Sequence, residues 1–320
     1  MRRRVVAVGD LHGDVHRLVR ILERQEVFLP GTRTWSRAGA TSDVILLGDY
    51  VDWRGEPLEG DRDTWDRGSA DLLLLLEDLH RQVAQFPSTN PNNRPRLYTL
   101  LGNHDKLMLD SYHYLAEMPE TRRAAVAEAH ADLRKVRKAL GLDSFLSGFF
   151  GSRRAPDRKT IRLLTWLTQG GPATIHSFGG FTAWYDRMHE GLAAFIAGMP
   201  LGVVVNDRLY SHSIADQEKW WRPIRDLEQL KGEDRDAAAE EWVWGRRIQG
   251  IDHHTGREIP RPGHAEIERM LARLGVRGVV VGHSLMQSLV PVKRYDGLVI
   301  NIDLHGHPLS EPWLDQYDAG

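Results

Sequence analysis

The chain contains no cysteine in its 320 residues. Disulfides, thiolate metal ligands and thiol nucleophiles are therefore excluded, and any bound metal must be held by oxygen and nitrogen donors. Long apolar runs are missing too: the longest, Leu72 to Leu76, is far shorter than a membrane span needs. Neither sign of charge dominates, the formal net charge being -2, so bulk electrostatics points to no nucleic-acid or membrane partner. There is no internal repeat and no low-complexity tract. The first strand starts within a few residues of Met1, so no signal or transit peptide is expected, and a soluble cytoplasmic location is the default. Arg2-Arg3-Arg4 could be a nucleic-acid arm, but a solvated strand start is the simpler reading.

What the chain does have is six apolar runs, each ending in a polar cluster. Val5 to Val8 precedes Gly9-Asp10-Leu11-His12-Gly13-Asp14, and Val44 to Leu47 precedes Gly48-Asp49-Tyr50-Val51-Asp52. Leu97 to Leu101 precedes Gly102-Asn103-His104-Asp105, and a run from Val203 through Tyr210 precedes Ser211-His212-Ser213. Val279 to Val281 precedes Gly282-His283-Ser284, and Leu298 to Ile300 leads into Asn301-Ile302-Asp303. Short β-branched runs of this kind are buried strands, and strands ending at one edge gather distant residues into one pocket.

Strand and helix signals alternate through the first third, with helices expected from about Val15 to Glu26 and Ser69 to Gln85, which argues for a layered α/β fold. Pro87 to Pro95 reads as a loop. Val126, Ala129, Leu133, Val136 and Leu140 recur at helical spacing and Gly141 closes the segment. The expected organisation is one domain over residues 1–320, with a helical insertion at about 106–200 and a second, Trp- and charge-rich insertion at about 215–264. Lys231 to Glu241 reads as a solvated helix face. Trp220, Trp221, Trp242 and Trp244 either wall a cleft or pack a local core.

Two divalent ions need a bridging ligand, and a carboxylate has two oxygens to share. Asp10 and His12 stand two apart beyond a strand, so both can reach one ion. Asp49 is the candidate bridge, and Asn103, His212 and His283 would complete the second ion. Carboxylate and amide oxygens mixed with imidazole suit Mn, Fe or Zn, with Mn2+ the leading candidate for both ions. Gly9, Gly48, Gly102 and Gly282 each precede a ligand, where the chain is expected to turn sharply. His253-His254 and His305-Gly306-His307 lack a strand-end setting and read as loop histidines.

Taken in order, Gly-Asp-Leu-His-Gly-Asp, Gly-Asp-Tyr-Val-Asp, Gly-Asn-His-Asp, Ser-His-Ser and Gly-His-Ser resemble the signature of the phosphoprotein-phosphatase family of calcineurin-like metallophosphoesterases. Trp166-Leu167-Thr168-Gln169-Gly170-Gly171-Pro172-Ala173-Thr174-Ile175-His176-Ser177-Phe178-Gly179 and Val243-Trp244-Gly245-Arg246 are similar to segments of its bacterial branch, which includes small serine/threonine protein phosphatases and diadenosine tetraphosphatases. The resemblance implies a four-layer α/β sandwich of two mixed sheets flanked by helices. It places Asp10, His12 and Asp49 on one metal, and Asp49, Asn103, His212 and His283 on the other. It also makes His104 the proton donor and Asp52 its orienting carboxylate, with attack by a hydroxide bridging the ions and no phosphoenzyme.

For the phosphate grip the resemblance implies Arg246 and an arginine directly after Asp52. Here Trp53 intervenes, so Arg54 takes that role, or Arg67 takes it if Trp53 to Asp66 is an insertion. Asp105 stands at a position usually Glu, a change expected to leave the chemistry undisturbed, and Ser213 replaces a usual Gly after His212. Arg153-Arg154 and Arg158-Lys159 read as a solvated basic loop. The expected activity is hydrolysis of phosphomonoesters, foremost phosphoserine or phosphothreonine in proteins. Hydrolysis of a dinucleoside polyphosphate is the alternative, and an inactive binding module the third reading. The expected partners are thus a phosphorylated protein or a small phosphate ester.

Overall fold

The apolar runs become the strands of two sheets in a computed structural model of the chain. It describes residues 3–52, 68–87, 94–142, 156–252, 255–286, 288, 290–304 and 313–315. In the first sheet β1 (Arg4–Val8), β2 (Ser42–Leu46) and β3 (Arg96–Thr99) run parallel, with Val6 opposite Val44 and Val44 opposite Leu97. In the second, β4 (Gly202–Val205), β5 (Arg208–Ser211), β6 (Gly278–Val281), β7 (Val292–Arg294) and β8 (Val299–Asn301) take the order β4-β5-β6-β8-β7. There β5, β6 and β8 are parallel and the outer strands antiparallel. A last strand, β9 (Trp313–Asp315), adds antiparallel to the free side of β1, so both sheets are mixed.

Alternation along each strand decides what packs where. Val5, Ala7, Ile45, Leu47, Val280 and Ile300 share one cluster with Tyr210, the contact layer between the sheets. Their neighbours Val6, Val8, Val44, Leu46, Val279 and Val281 belong to a second, larger cluster with the helices. Strands buried on both faces must be apolar at every position, which is why they read as continuous runs rather than alternating ones. Sheets back to back with helices outside give the four-layer α/β arrangement expected from the motifs.

Helix α1 (Val15–Arg24) starts at Asp14, whose side chain accepts the Arg17 N–H at 2.8 Å. Helix α2 (Gly68–Gln85) lies between β2 and β3 in the chain. Between β3 and β4 the described residues are largely helical: α3 (Asn103–Glu117), α4 (Glu120–Ala129), α5 (Leu133–Ala139), α6 (Arg158–Thr168), α7 (Gly171–Ser177), α8 (Phe181–Arg187) and α9 (Ala193–Ala197). The continuous period read from Val126 to Leu140 is two helices. Asp132 breaks it by capping α5, accepting the N–H groups of Arg134 and Lys135, while Val126 and Val136 stay buried in one core. The helices α10 (Ile224–Leu227), α11 (Gly232–Trp244) and α12 (His264–Leu274) precede β6.

Three further sequence expectations change. The run from Val203 to Tyr210 is a hairpin, turned by Asn206 and Asp207, both at positive φ (51° and 62°). Helix α11 is not merely solvated, because Ala238, Ala239, Trp242 and Val243 are buried. The strand start is not simply solvated either: the Arg3 guanidinium meets the Asp43 carboxylate at 2.7 Å. Among the described residues no helix is long and apolar enough to cross a membrane.

Candidate metal centre and active site

Each parallel strand delivers its polar end to the same edge. Asp10 and His12 follow β1, Asp49 and Asp52 follow β2, Asn103 and His104 open α3 after β3, and His212 and His283 follow β5 and β6. All are buried except His12, which is half-buried. Asp10, His12, Asp49, Asn103, His104 and His283 line a cleft of about 1040 Å³, with Gln169, Trp244, Arg246 and Leu285 among its other walls; Asp52 and His212 lie behind them.

Two groups of donor atoms lie mutually within 4.8 Å: His12, Asp49 and His104, and Asp49, His212 and His283. Asp49 belongs to both. Asn103 joins the second, its Oδ1 being 2.9 Å from His212 Nε2 and 2.8 Å from His283 Nδ1. Asp10 lines the same cleft but belongs to neither group. Its carboxylate accepts the His283 N–H at 3.1 and 3.2 Å, and its Oδ1 is 3.9 Å from His212.

The imidazoles are aimed by one repeated device. His12 Nδ1 donates to the Val51 carbonyl at 3.0 Å and His212 Nδ1 to the Leu47 carbonyl at 2.9 Å. Each bond leaves an Nε2 lone pair turned to Asp49, at 3.8 and 3.5 Å. A backbone carbonyl on one ring nitrogen fixes the tautomer that offers the other to a metal. Neutral imidazole nitrogens, a shared carboxylate and an amide oxygen without sulfur form a donor set that fits hard or borderline divalent cations.

Protonation follows the same layout. Burial raises the Asp10 pKa, and the Asp49 charge adds to the rise. Burial also works to raise that of Asp49, but His212, His104 and His12 outweigh it and hold it below the ordinary carboxylate value. Burial, His212 and Arg246 keep His283 well below the usual imidazole value, and so neutral. Asp105 is pushed up to about 7 by burial and the Asp49 charge, against the N–H groups of Tyr50 and Gly102 that it accepts.

The backbone is strained where these groups gather. His12, Asp49, Asp52 and His283 all have positive φ, from 44° to 65°, a region costly for side-chain-bearing residues and concentrated at functional sites. Of the glycines expected to make sharp turns, only Gly48 has positive φ (103°). The others permit close approach: a Cβ on Gly102 would lie 2.2 Å from the Asp49 nitrogen, and one on Gly282 2.3 Å from Asp10 Oδ1.

His104, a member of the first donor group, has a second tie, to a carboxylate outside that group. Its Nδ1 donates to Asp52 Oδ2 at 2.7 Å, and its backbone N–H to Asp49 Oδ1 at 2.9 Å. Sequence reading did not find what holds Asp52, namely Trp166 and Thr174. The signal was present in the Trp166 to Gly179 motif, whose purpose has no local reading.

A profile of calcineurin-like phosphoesterases matches residues 3–287, nearly the whole chain. The chain belongs to that family. Membership makes it a metal-dependent hydrolase and agrees with the donor groups just described. No protein of curated function matches it. Similar solved structures include a cold-active protein tyrosine phosphatase, 16% identical, covering 98% of this chain and 73% of that one at a TM-score of 0.49. Another, assigned as a diadenosine tetraphosphatase, is 15% identical over 98% of this chain and 88% of that one (TM-score 0.39). A metallophosphoesterase from Sphaerobacter thermophilus is 11% identical over 95% and 77% (TM-score 0.34).

Of the phosphate-binding candidates, Arg246 lines the cleft and donates from Nε to His283 Nε2 at 3.0 Å. Arg54 and Arg67 lie outside the described residues, as do Trp53, Arg153-Arg154, His253-His254, His305 and His307. Lys159 pairs with Glu117 and Arg158 with Glu240, so these two cations bind the protein's own carboxylates. The tryptophans divide: Trp220, Trp221 and Trp242 are core, whereas Trp244 is half-buried and faces the cleft edge-on to His283. Ser213 donates to the Trp242 carbonyl at 2.6 Å, tying the end of β5 to α11.

Proposed function

We propose that this phosphoesterase hydrolyses phosphomonoesters with two divalent cations, most suitably Mn2+, and that its substrates are phosphoserine or phosphothreonine residues of proteins. Asp10, His12 and Asp49 would hold one ion, and Asp49, Asn103, His212 and His283 the other. When bound, the pair supplies Lewis acidity and a nucleophilic water at neutral pH. Arg246, together with Arg54 or Arg67, grips the phosphoryl oxygens through its planar fork.

The observation that carries the reading is the buried His104–Asp52 pair, 2.7 Å apart at the edge of the donor cluster. Serine and threonine leave as alkoxides, which are poor leaving groups unless protonated in the transition state. With Nδ1 held by Asp52, His104 at the cleft wall is placed to carry that proton on Nε2 to the ester oxygen. Asp52 sets the tautomer and balances the imidazolium charge. A polyphosphate leaves as a stable anion and needs no such acid, so this geometry favours alkyl esters.

A second reading, hydrolysis of a dinucleoside polyphosphate, draws support from the cleft wall, where Trp244, Ile251, Leu285 and Met286 offer apolar surface to a nucleobase. Turnover of p-nitrophenyl phosphate with Mn2+, abolished in Asp49→Asn, tests the hydrolase. Parallel assays of a phosphoserine peptide and diadenosine tetraphosphate separate the substrates. Preference for the second would overturn the protein-phosphatase reading.

A further inference from the structure

Asp52 is fully buried, and both of its carboxylate oxygens are used. Oδ2 faces His104. Oδ1 accepts the Trp166 indole N–H at 3.1 Å and the Thr174 hydroxyl at 2.7 Å. The same hydroxyl oxygen accepts the Asp52 backbone N–H at 2.9 Å, so one threonine grips the residue by main chain and side chain together. We infer that Trp166 and Thr174 are positioning residues for the general acid, acting on His104 through Asp52. Helices α6 and α7 are thereby part of the catalytic apparatus rather than a cover over it. The inference rests on the reading of His104 as the acid.

Three features make the contact a built one. Asp52 has φ of 65°, a conformation that persists only where its surroundings over-determine it. The Gly170-Gly171 pair lets the segment close on it: a Cβ on Gly170 (φ 124°) would lie 2.8 Å from Asp52 Cβ, and one on Gly171 2.8 Å from the Trp166 ring. Trp166 is itself fully buried and packed on Trp184 at 5.1 Å, which leaves its N–H one fixed direction. A buried carboxylate has no water to solvate it, so these donors replace the solvent and hold its plane where His104 needs it. Without the hydroxyl, Asp52 loses a donor to Oδ1 and the acceptor of its own N–H, and the imidazole loses its register.

The test compares an alkyl phosphate, phosphoserine, with p-nitrophenyl phosphate, whose leaving group needs little protonation, using the Mn2+-loaded enzyme. Thr174→Val keeps the side-chain volume and removes the hydroxyl; Thr174→Ser restores it. The expected loss in kcat for Thr174→Val is about 10²-fold on the alkyl ester, the scale of a small misplacement of a catalytic group. On the aryl ester the loss is about a tenth of that. Thr174→Ser recovers most of both, and Thr174→Val adds nothing in a His104→Ala background. In 15N-histidine-labelled protein the His104 Nδ1 proton moves upfield in Thr174→Val, a readout independent of turnover. Equal losses on both esters, no rescue by serine, or full additivity with His104→Ala would reduce Thr174 to a structural residue and overturn the inference. Undiminished alkyl-ester turnover in His104→Ala alone would instead bring down the acid assignment, and the positioning role with it.

Discussion

Asp105 holds the turn that carries Asp49: its Oδ2 accepts the Asp49 backbone N–H at 2.8 Å, and its Oδ1 that of Tyr50 at 2.9 Å. Oδ2 also accepts the Gly102 N–H at 3.1 Å, so one carboxylate joins the loops after β2 and β3. Asp105→Asn has one acceptor oxygen and turns an NH2 towards a buried N–H. Leaving a buried donor unpaired costs about 1–3 kcal/mol, so the urea midpoint should fall accordingly. Mn2+ retention on dialysis should weaken with it, because Asp49 is no longer fixed. A variant with unchanged midpoint and metal content would show that the turn stands without this carboxylate.

His104 lies within reach of the same donor cluster as His12 and Asp49, so geometry alone allows it to be ligand or acid. Its Nδ1 bond to Asp52 argues for the acid, and the two roles differ in what a deletion removes. His104→Ala should keep its metal content, measured by elemental analysis, while kcat on phosphoserine falls by about 10²–10⁴-fold. Loss of one metal equivalent would make it a ligand.

Five of the six strand ends were legible because each combines an apolar run, a small or glycine residue and an Asp, Asn or His, all within a few positions. The sixth, Asn301-Ile302-Asp303, works one step back: Asn301 Nδ2 donates to the Ser284 carbonyl at 3.0 Å and steadies the loop of His283. Other parts of the site have no local signature. Trp166 and Thr174 reach Asp52 across separations of 114 and 122 residues. The positive φ of His12, Asp49, Asp52 and His283 is imposed by loops packing against each other, not by residue type. The helix break at Asp132 was hidden because the apolar spacing continues across it, both helices burying their valines in one core.

Arg246 lines the cleft and is held there by the bond from its Nε to His283 Nε2 at 3.0 Å. Charged hydrogen bonds to phosphate contribute about 1.5–3 kcal/mol. Arg246→Ala should therefore raise KM for p-nitrophenyl phosphate, and Ki for inorganic phosphate, by about 10–100-fold. Lysine at this position lacks the planar fork and should recover only part of the loss. An unchanged phosphate Ki would remove Arg246 from the grip.

Away from the centre, His80 on α2 offers a pH test of stability. Its Nε2 contacts Thr99 Oγ1 at 3.0 Å and its ring meets Phe195 edge-on at 5.6 Å. Burial lowers its pKa below the ordinary 6.5. Because the folded value is the lower one, the unfolded chain takes up the proton first as pH falls. The stability His80 contributes is thus fully present above pH 6.5 and is lost as pH drops from there through the folded value. His80→Gln cannot titrate, so the difference in unfolding free energy between wild type and variant should be flat above neutrality and shrink below pH 6.5. Urea titrations of both proteins at several pH values measure it. A difference that stays constant, or grows towards acid, would show that His80 is not held neutral by its burial.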